Sequence, residues 1–313
     1  MSALSGLEGL VVIDEAQRAP GLFPVLRVLA DRESKPATFL ILGSASPQLS
    51  RQAAESLAGR VEIVEMGGFQ LCEIPPDDHR RLWIRGSFPR SFLARNDRDS
   101  LDWRKNFTRT FLERDLAGLG FGMSPQAMGR FWTMLAHYHG QLWNGNEIAA
   151  SMGISPTTAR HYLDALEQTF MIRRLLPWHT NVGKRLVKTP KIYFRDSGIF
   201  HSLQGIASLA DVVVHPKLGA SWEGFAIEQI LRSQRGEDGY FYAIHSGSEL
   251  DLYFPASGIG FEVKYHDAPR LTRSMGISME DLKLKELIVA YPGNREYQLA
   301  KGIRVMPLSS ICA

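Results

Sequence analysis

Three carboxylates and a lysine in the last third of the chain are the residue types needed to handle a metal ion and a phosphate. The stretches "ELDLYF" (249–254) and "IGFEVKY" (259–265) alternate polar and apolar residues with period two, the mark of half-buried strands. The four residues between them, Pro255 to Gly258, read as a hairpin loop. Pairing Phe254 with Ile259 then sets Asp251 opposite Glu262 and Glu249 opposite Lys264. All four project from one face, and Leu250, Leu252, Phe261 and Val263 from the other. Directly opposed side chains have Cβ atoms about 4.5–5.5 Å apart, where like charges destabilise the sheet. Two acids so placed call for a cation between them, and oxygen ligands suit Mg²⁺ or Mn²⁺. Lys264 would stand beside the metal, where it positions water or offsets charge developing on a phosphate. A third acid comes from the helical stretch "SWEGFAIEQILR". On a wheel of 100° per residue, Glu223 falls inside the apolar arc between Ile227 and Ile230, whereas Glu228 points away and is expected in solvent. The plainer alternative is an ordinary strand in which Glu249 and Lys264 form a cross-strand ion pair.

Those residues need a frame, and the chain is long enough for more than one. At 313 residues, two or three domains are the expectation, and 44% apolar with 22% charged residues is ordinary for a globular protein. A net charge of +3 permits contact with nucleic acid without demanding it. Cys72 and Cys312 lack metal-ligand spacing and suggest no disulfide framework, which fits a reducing cytoplasm. No apolar run reaches 18 residues, so no membrane partner is expected.

The first 75 residues carry a second acid pair. "GLVVIDEAQ" reads as a strand buried on both faces and ending at Asp14 and Glu15. "GLFPVLRVLADR" follows with Leu22, Val25, Leu26 and Leu29 at helical spacing, and "TFLIL" is a second buried strand ending at Gly43-Ser44-Ala45-Ser46. Strand–helix–strand order implies parallel pairing, with ligands at the carboxyl ends of the strands. The simpler account of Asp14 and Glu15 is a helix start, where acids satisfy free amides.

"LVVIDEAQ" followed by "LILGSAS" and "SLAGRVEIVEMGGFQLCEI" resembles a prokaryotic AAA-type ATPase family with a long C-terminal region. The resemblance implies that Asp14 holds Mg²⁺ through water, Glu15 orients the attacking water and Ser44 or Ser46 senses the γ-phosphate of ATP. Arg60 is a weaker candidate for a phosphate-directed arginine. No G-x-x-x-x-G-K-S/T phosphate loop occurs in the sequence, so the expected sheet is truncated and tight ATP binding by this polypeptide is not expected.

Residues 76–180 turn to helices. Arg104, Lys105, Arg109 and Arg114 read as a solvated helix surface, since Asp102, Glu113 and Asp115 interleave. "NEIAASMGISPTTARHYLDALEQTFMIRRL" reads as a helix-turn-helix: Gly153 closes one helix, and Ser155 and Pro156 open the next. "MIRRLLPW" resembles the wing of a winged helix, and Thr157, Thr158, Arg160 and His161 would face DNA. One arginine and no lysine on that face leave packing within the protein as the alternative, and for the chain as a whole a protein partner or a second copy is a separate expectation. Lys184, Arg185, Lys188 and Lys191 form the densest basic cluster, a solvated turn or a track for a nucleic-acid backbone.

From 181 to 313, a helix bearing Glu223, a strand bearing Asp251 and a strand bearing Glu262-Val263-Lys264 resemble the PD-(D/E)XK nuclease superfamily, completed by a helix near 275–282 and the strand "LIVAY". The expected whole is an α/β multidomain protein: a truncated P-loop NTPase parallel sheet, a helical and winged-helix middle, and a PD-(D/E)XK-like end. The function expected is that of a DNA-associated protein with a metal-dependent nuclease-like site. The alternative is a non-enzymatic regulatory protein built on inactive remnants.

Overall fold

The fold is that of a computed structural model, which describes residues 2–16, 19, 21–33, 37–43, 55–119, 121–179, 185–234, 237–245 and 247–312. At the N-terminus, β1 (Gly9–Ile13) and β2 (Ala37–Ile41) run parallel, joined through helix α1 (Leu22–Ala30). Phe23, Leu26 and Leu29 of α1 close on Ala16 and Leu57 in a small core. The strands are not buried on both faces: Leu10 is 66% and Val12 54% exposed, and Leu40 is exposed as well. Among the described residues, one helix covers one face of a two-stranded sheet, which leaves the other to solvent.

The middle begins with α2 (His79–Arg85) and α3 (Asp97–Thr110). Arg104 of α3 is fully buried rather than solvated: its guanidinium donates to the carbonyls of Ser100, Ile84 and Gly198. Burial lowers its pKa to about 10. Next come α4 (Pro125–His137), the short β3 (Gln141–Leu142), α5 (Gly145–Met152) and α6 (Pro156–Gln168). Gly153 ends α5 at φ 67, in the left-handed region that favours glycine. The Ser155 side chain accepts the Thr158 N–H at the start of α6, as the sequence predicts. β4 (Ile172–Leu175) and β5 (Lys191–Phe194) then pair antiparallel in a three-stranded sheet of order β3-β5-β4. The central strand therefore comes from beyond residue 180, where a boundary was expected. α7 (Ser197–Leu203) starts at Asp196, whose carboxylate accepts the Ile199 N–H.

The C-terminal sheet has six strands: β6 (Tyr240–Ala243), β7 (Glu249–Phe254), β8 (Ile259–Val263), β9 (Glu286–Tyr291), β10 (Tyr297–Ala300) and β11 (Ile303–Pro307). Their order is β10-β11-β9-β8-β7-β6, with β8, β9 and β11 mutually parallel. Helix α8 (Leu218–Ser233) packs on one face through Trp222, Phe225, Ala226 and Ile230, against Leu252, Phe254, Phe261 and Val263. Helix α9 (Arg273–Asp281) covers the other with Met275, against Tyr242, Leu250, Leu287 and Val289. A sheet buried on both sides cannot slip. A shift of one residue between β7 and β8 would turn Leu252, Phe254 and Phe261 from the face fitted to α8 toward the face fitted to α9.

Candidate functional site

That locked register sets the carboxylates. The β7–β8 ladder pairs Phe254 with Ile259 and Leu252 with Phe261 and ends there; Asp251 and Glu262 are the next residue on each strand, near enough for the Glu262 charge to act on Asp251. Asp251 Oδ2 accepts the Val263 N–H at 2.7 Å, supplying by side chain a contact the diverging strands no longer make by backbone. Strict alternation fails at this level. The pairing of β6 with β7 shifts between Tyr240 and Tyr242, so Leu250 lies in the cluster under α9 and Leu252 in the one under α8, not together. A one-residue bulge of this sort re-aims side chains beside it.

Asp251 and Glu262 are buried, at 7% and 5% exposed. Lys264 Nζ reaches Glu262 Oε1 at 2.7 Å, while Glu262 Oε2 is buried without a hydrogen-bond partner. Glu249 does not pair with Lys264. Its partner is Lys191, because β7 and β8 have already separated where Glu249 lies. Lys191 also reaches Glu223 at 3.3 Å, and the Tyr193 hydroxyl donates to the same Glu223 oxygen.

The approach of β5 to α8 has a clear local cause. Gly224, next to Glu223, leaves no room for a side chain against the His139 ring, so the helix can lie close to Tyr193. Along β5, Ile192 and Phe194 enter the core of α4–α6, and Tyr193 enters the core under α8. Period-two geometry thus puts Lys191 on the same side as Tyr193, facing the carboxylates.

Crowding like charges in a dry place shows in the acidities. Burial, then the Glu262 and Glu223 carboxylates, hold the Asp251 pKa well above the usual carboxylate range. Burial also raises Glu262, against the opposing pull of Lys264. Burial works against the Lys191 ammonium, but the carboxylates around it outweigh that and raise its pKa well above the ordinary value. Among the described residues, no three His, Cys, Asp or Glu side chains stand grouped to hold a metal ion as they lie. The donor set is nonetheless all oxygen, and the unsatisfied Glu262 Oε2 is a ligand atom in want of a partner.

Elsewhere the proposed site residues are scattered. Asp14 and Glu15 are exposed at the carboxyl end of β1, with the Glu15 N–H donating to Asp14 Oδ1 at 2.8 Å. Ser44 and Ser46 lie outside the described residues. Arg60 is engaged by Asp31 at 2.6 Å. Thr157, Arg160 and His161 are exposed on α6, and the Thr158 hydroxyl is taken by Ser155 at 2.8 Å.

Comparison with known proteins places these sites in a family. A family model described as an AAA domain matches residues 1–75, and two domains of unknown function match residues 76–210 (DUF8612) and 218–311 (DUF4143). The uncharacterized protein Rv2008c of Mycobacterium tuberculosis is 50% identical over 313 residues, covering 99% of this chain and 71% of that protein. The uncharacterized protein Mb2031c of Mycobacterium bovis matches to the same extent. The chain belongs to their family of AAA-domain proteins. No solved structure matches.

Two features of this AAA-domain protein escaped the sequence reading. Glu228 is not in solvent. It is 5% exposed and bonded to Arg173 at 2.8 Å and Arg195 at 3.1 Å, because α8 is covered on its back by β4 and the residues following β5. Lys191, read as part of a basic surface, is 6% exposed inside the acid cluster. Its signal was present in "KIYF", where a lysine alternates with apolar residues in a strand buried along its whole length.

Proposed function

We propose that this AAA-domain family member is a DNA-associated protein whose C-terminal part carries a metal-dependent, PD-(D/E)XK-like nuclease centre. The supporting order is α8, three antiparallel strands β6–β8, α9 and the parallel β9, with Glu223, Asp251, Glu262 and Lys264 at the corresponding places. The observation that carries the reading is the burial of Asp251 and Glu262 close enough for their charges to interact, with Glu262 Oε2 left without a partner. Glu223, Asp251 and Glu262 would hold Mg²⁺ or Mn²⁺, which supplies water activation and charge neutralisation when bound. Lys264 holds one Glu262 oxygen and, as a partly exposed ammonium, would offset charge developing on a phosphate. The α4–α6 unit with β3, β4 and β5 has the element order of a winged helix, and its exposed Thr157, Arg160 and His161 are the proposed DNA contacts.

Asp14 and Glu15 are assigned no ATP turnover in these 313 residues, since the sequence holds no phosphate loop to present the nucleotide. The test is cleavage of branched, duplex and single-stranded DNA by the purified chain with Mn²⁺ or Mg²⁺. Glu262→Ala is expected to lower the rate by about 100-fold or more. Absence of both metal binding and cleavage in the wild type overturns the reading. A second reading then takes its place, favoured by the Lys191 bridge between Glu223 and Glu249: the acids are neutralised from within, and the protein is a non-enzymatic, partner-binding regulator.

A further inference from the structure

We propose that Lys191 is a resident cation that competes with a divalent metal for the carboxylates, so that loading the site requires this side chain to withdraw. The inference rests on the metal-centre reading above and names the chain's own antagonist of the metal. Four carboxylates, Glu223, Glu249, Asp251 and Glu262, converge there against two ammonium groups, Lys191 and Lys264. The carboxyl groups outnumber the ammonium groups by two, a surplus of oxygen ligands that suits a divalent ion. Lys191, however, already occupies Glu223, the acid that the metal must recruit from α8.

The two lysines differ in kind. Lys264 follows β8 directly, is attached to Glu262 alone, and its side chain is 41% exposed, so it can swing outward. Lys191 is buried and fixed by a strand whose Ile192 and Phe194 are locked into the α4–α6 core. Glu223 is not its sole support: Lys191 Nζ also pairs with Glu249 and lies 5.9 Å from the Tyr193 ring centroid and 5.6 Å from that of Phe241. A shift of the ammonium toward Glu249 keeps it paired and leaves the Tyr193 hydroxyl as the remaining donor to Glu223 Oε1. Because β5 is the central strand of the helix-turn-helix sheet, the competitor is carried by the proposed DNA-contacting unit, while the carboxylates lie on α8, β7 and β8.

The experiment is calorimetric titration of the full chain with Mn²⁺ after chelator treatment, for wild type, Lys191→Met and Lys191→Met with Glu262→Gln. Lys191→Met is expected to bind Mn²⁺ about tenfold more tightly than wild type, and Glu262→Gln to remove that binding. Equal affinity of wild type and Lys191→Met, both lost with Glu262→Gln, overturns the role of Lys191 and leaves the metal centre standing. No Glu262-dependent binding in either protein removes the metal centre and this inference with it. Should Lys191→Met fail to fold, Lys191→Arg carries the test. A guanidinium gripping both glutamates weakens Mn²⁺ binding below that of wild type, and unchanged affinity overturns the proposal.

Discussion

The molecule holds two acid pairs at strand ends, Asp14–Glu15 and Asp251–Glu262, and they live in opposite surroundings. The first is exposed at the rim of a two-stranded sheet whose outer face is uncovered among the described residues. The second lies inside a six-stranded sheet covered by helices on both faces, with two lysines and two further glutamates, Glu223 and Glu249, around it. The same chemical groups are thus an ordinary solvated pair in one place and an electrostatically loaded cluster in the other. Residue type and spacing nominate both pairs equally, and only burial and the company of other charges separate them.

The largest effect that sharpens this contrast comes from the charges that α8 buries on its back. Glu228 is bonded to both Arg173 and Arg195, and the arginines hold its pKa below the usual range although burial pushes the other way. Glu228→Gln would leave two guanidinium groups short of a counter-charge. It is expected to destabilise the chain by about 3–5 kcal/mol in urea unfolding. A loss below 1 kcal/mol would show that this buried network is no more consequential than a surface pair.

How much of this was legible depends on whether the partners were near in sequence. The β7–β8 register could be read because a four-residue loop fixes it, and Ser155, Pro156 and Gly153 announced their turn by local chemistry. Arg104, Glu228 and Lys191 were all misplaced for one reason. Each is buried by elements distant in the chain: Arg104 by the Gly198 carbonyl, Glu228 by Arg173, and Lys191 by Glu223 and Glu249. A helical wheel assumes one apolar and one solvated face, whereas α8 is covered on both. The exposure of Leu10 and Val12 is the converse case: strands that read as fully buried lack a covering layer among the described residues.

A second effect separates the two regions by pH. His139 and His201 are fully or nearly fully buried, and burial lowers the pKa of each to about 3. In the unfolded chain they titrate near 6.5, so between that pH and about 3 the unfolded state binds more protons. Their contribution to stability is complete above about 6.5 and falls by about 1.4 kcal/mol per pH unit for each histidine as pH drops below it. Residues 1–75 contain no histidine, so the loss belongs to the rest of the chain. Hydrogen exchange at pH 4.5 is expected to show protection lost around Phe194, whose N–H donates to His139 Nδ1, with no matching acid-induced loss in β1 and β2. His139→Gln should about halve the slope of stability against pH, and an unchanged slope refutes the assignment.

The smallest effect belongs to the first acid pair and tests whether the fold needs it. Glu15 holds φ 52, a left-handed conformation that glycine adopts at no steric cost and glutamate does not. Asp14→Asn, which removes a charge from an exposed site, should change stability by less than about 0.5 kcal/mol. Glu15→Gly should change it by no more than about 1 kcal/mol, since relief of strain is set against the added freedom of the unfolded chain and the loss of the side chain's own interaction. The measurement is thermal unfolding of residues 1–75 within the full chain, followed through exchange protection of β1. If Glu15→Gly stabilises, the fold gains nothing from a carboxylate at position 15, and its presence there asks for a functional explanation like that of Glu262. If it destabilises, Glu15 belongs to the local packing, and the contrast with the buried pair becomes one between a structural acid and a chemical one.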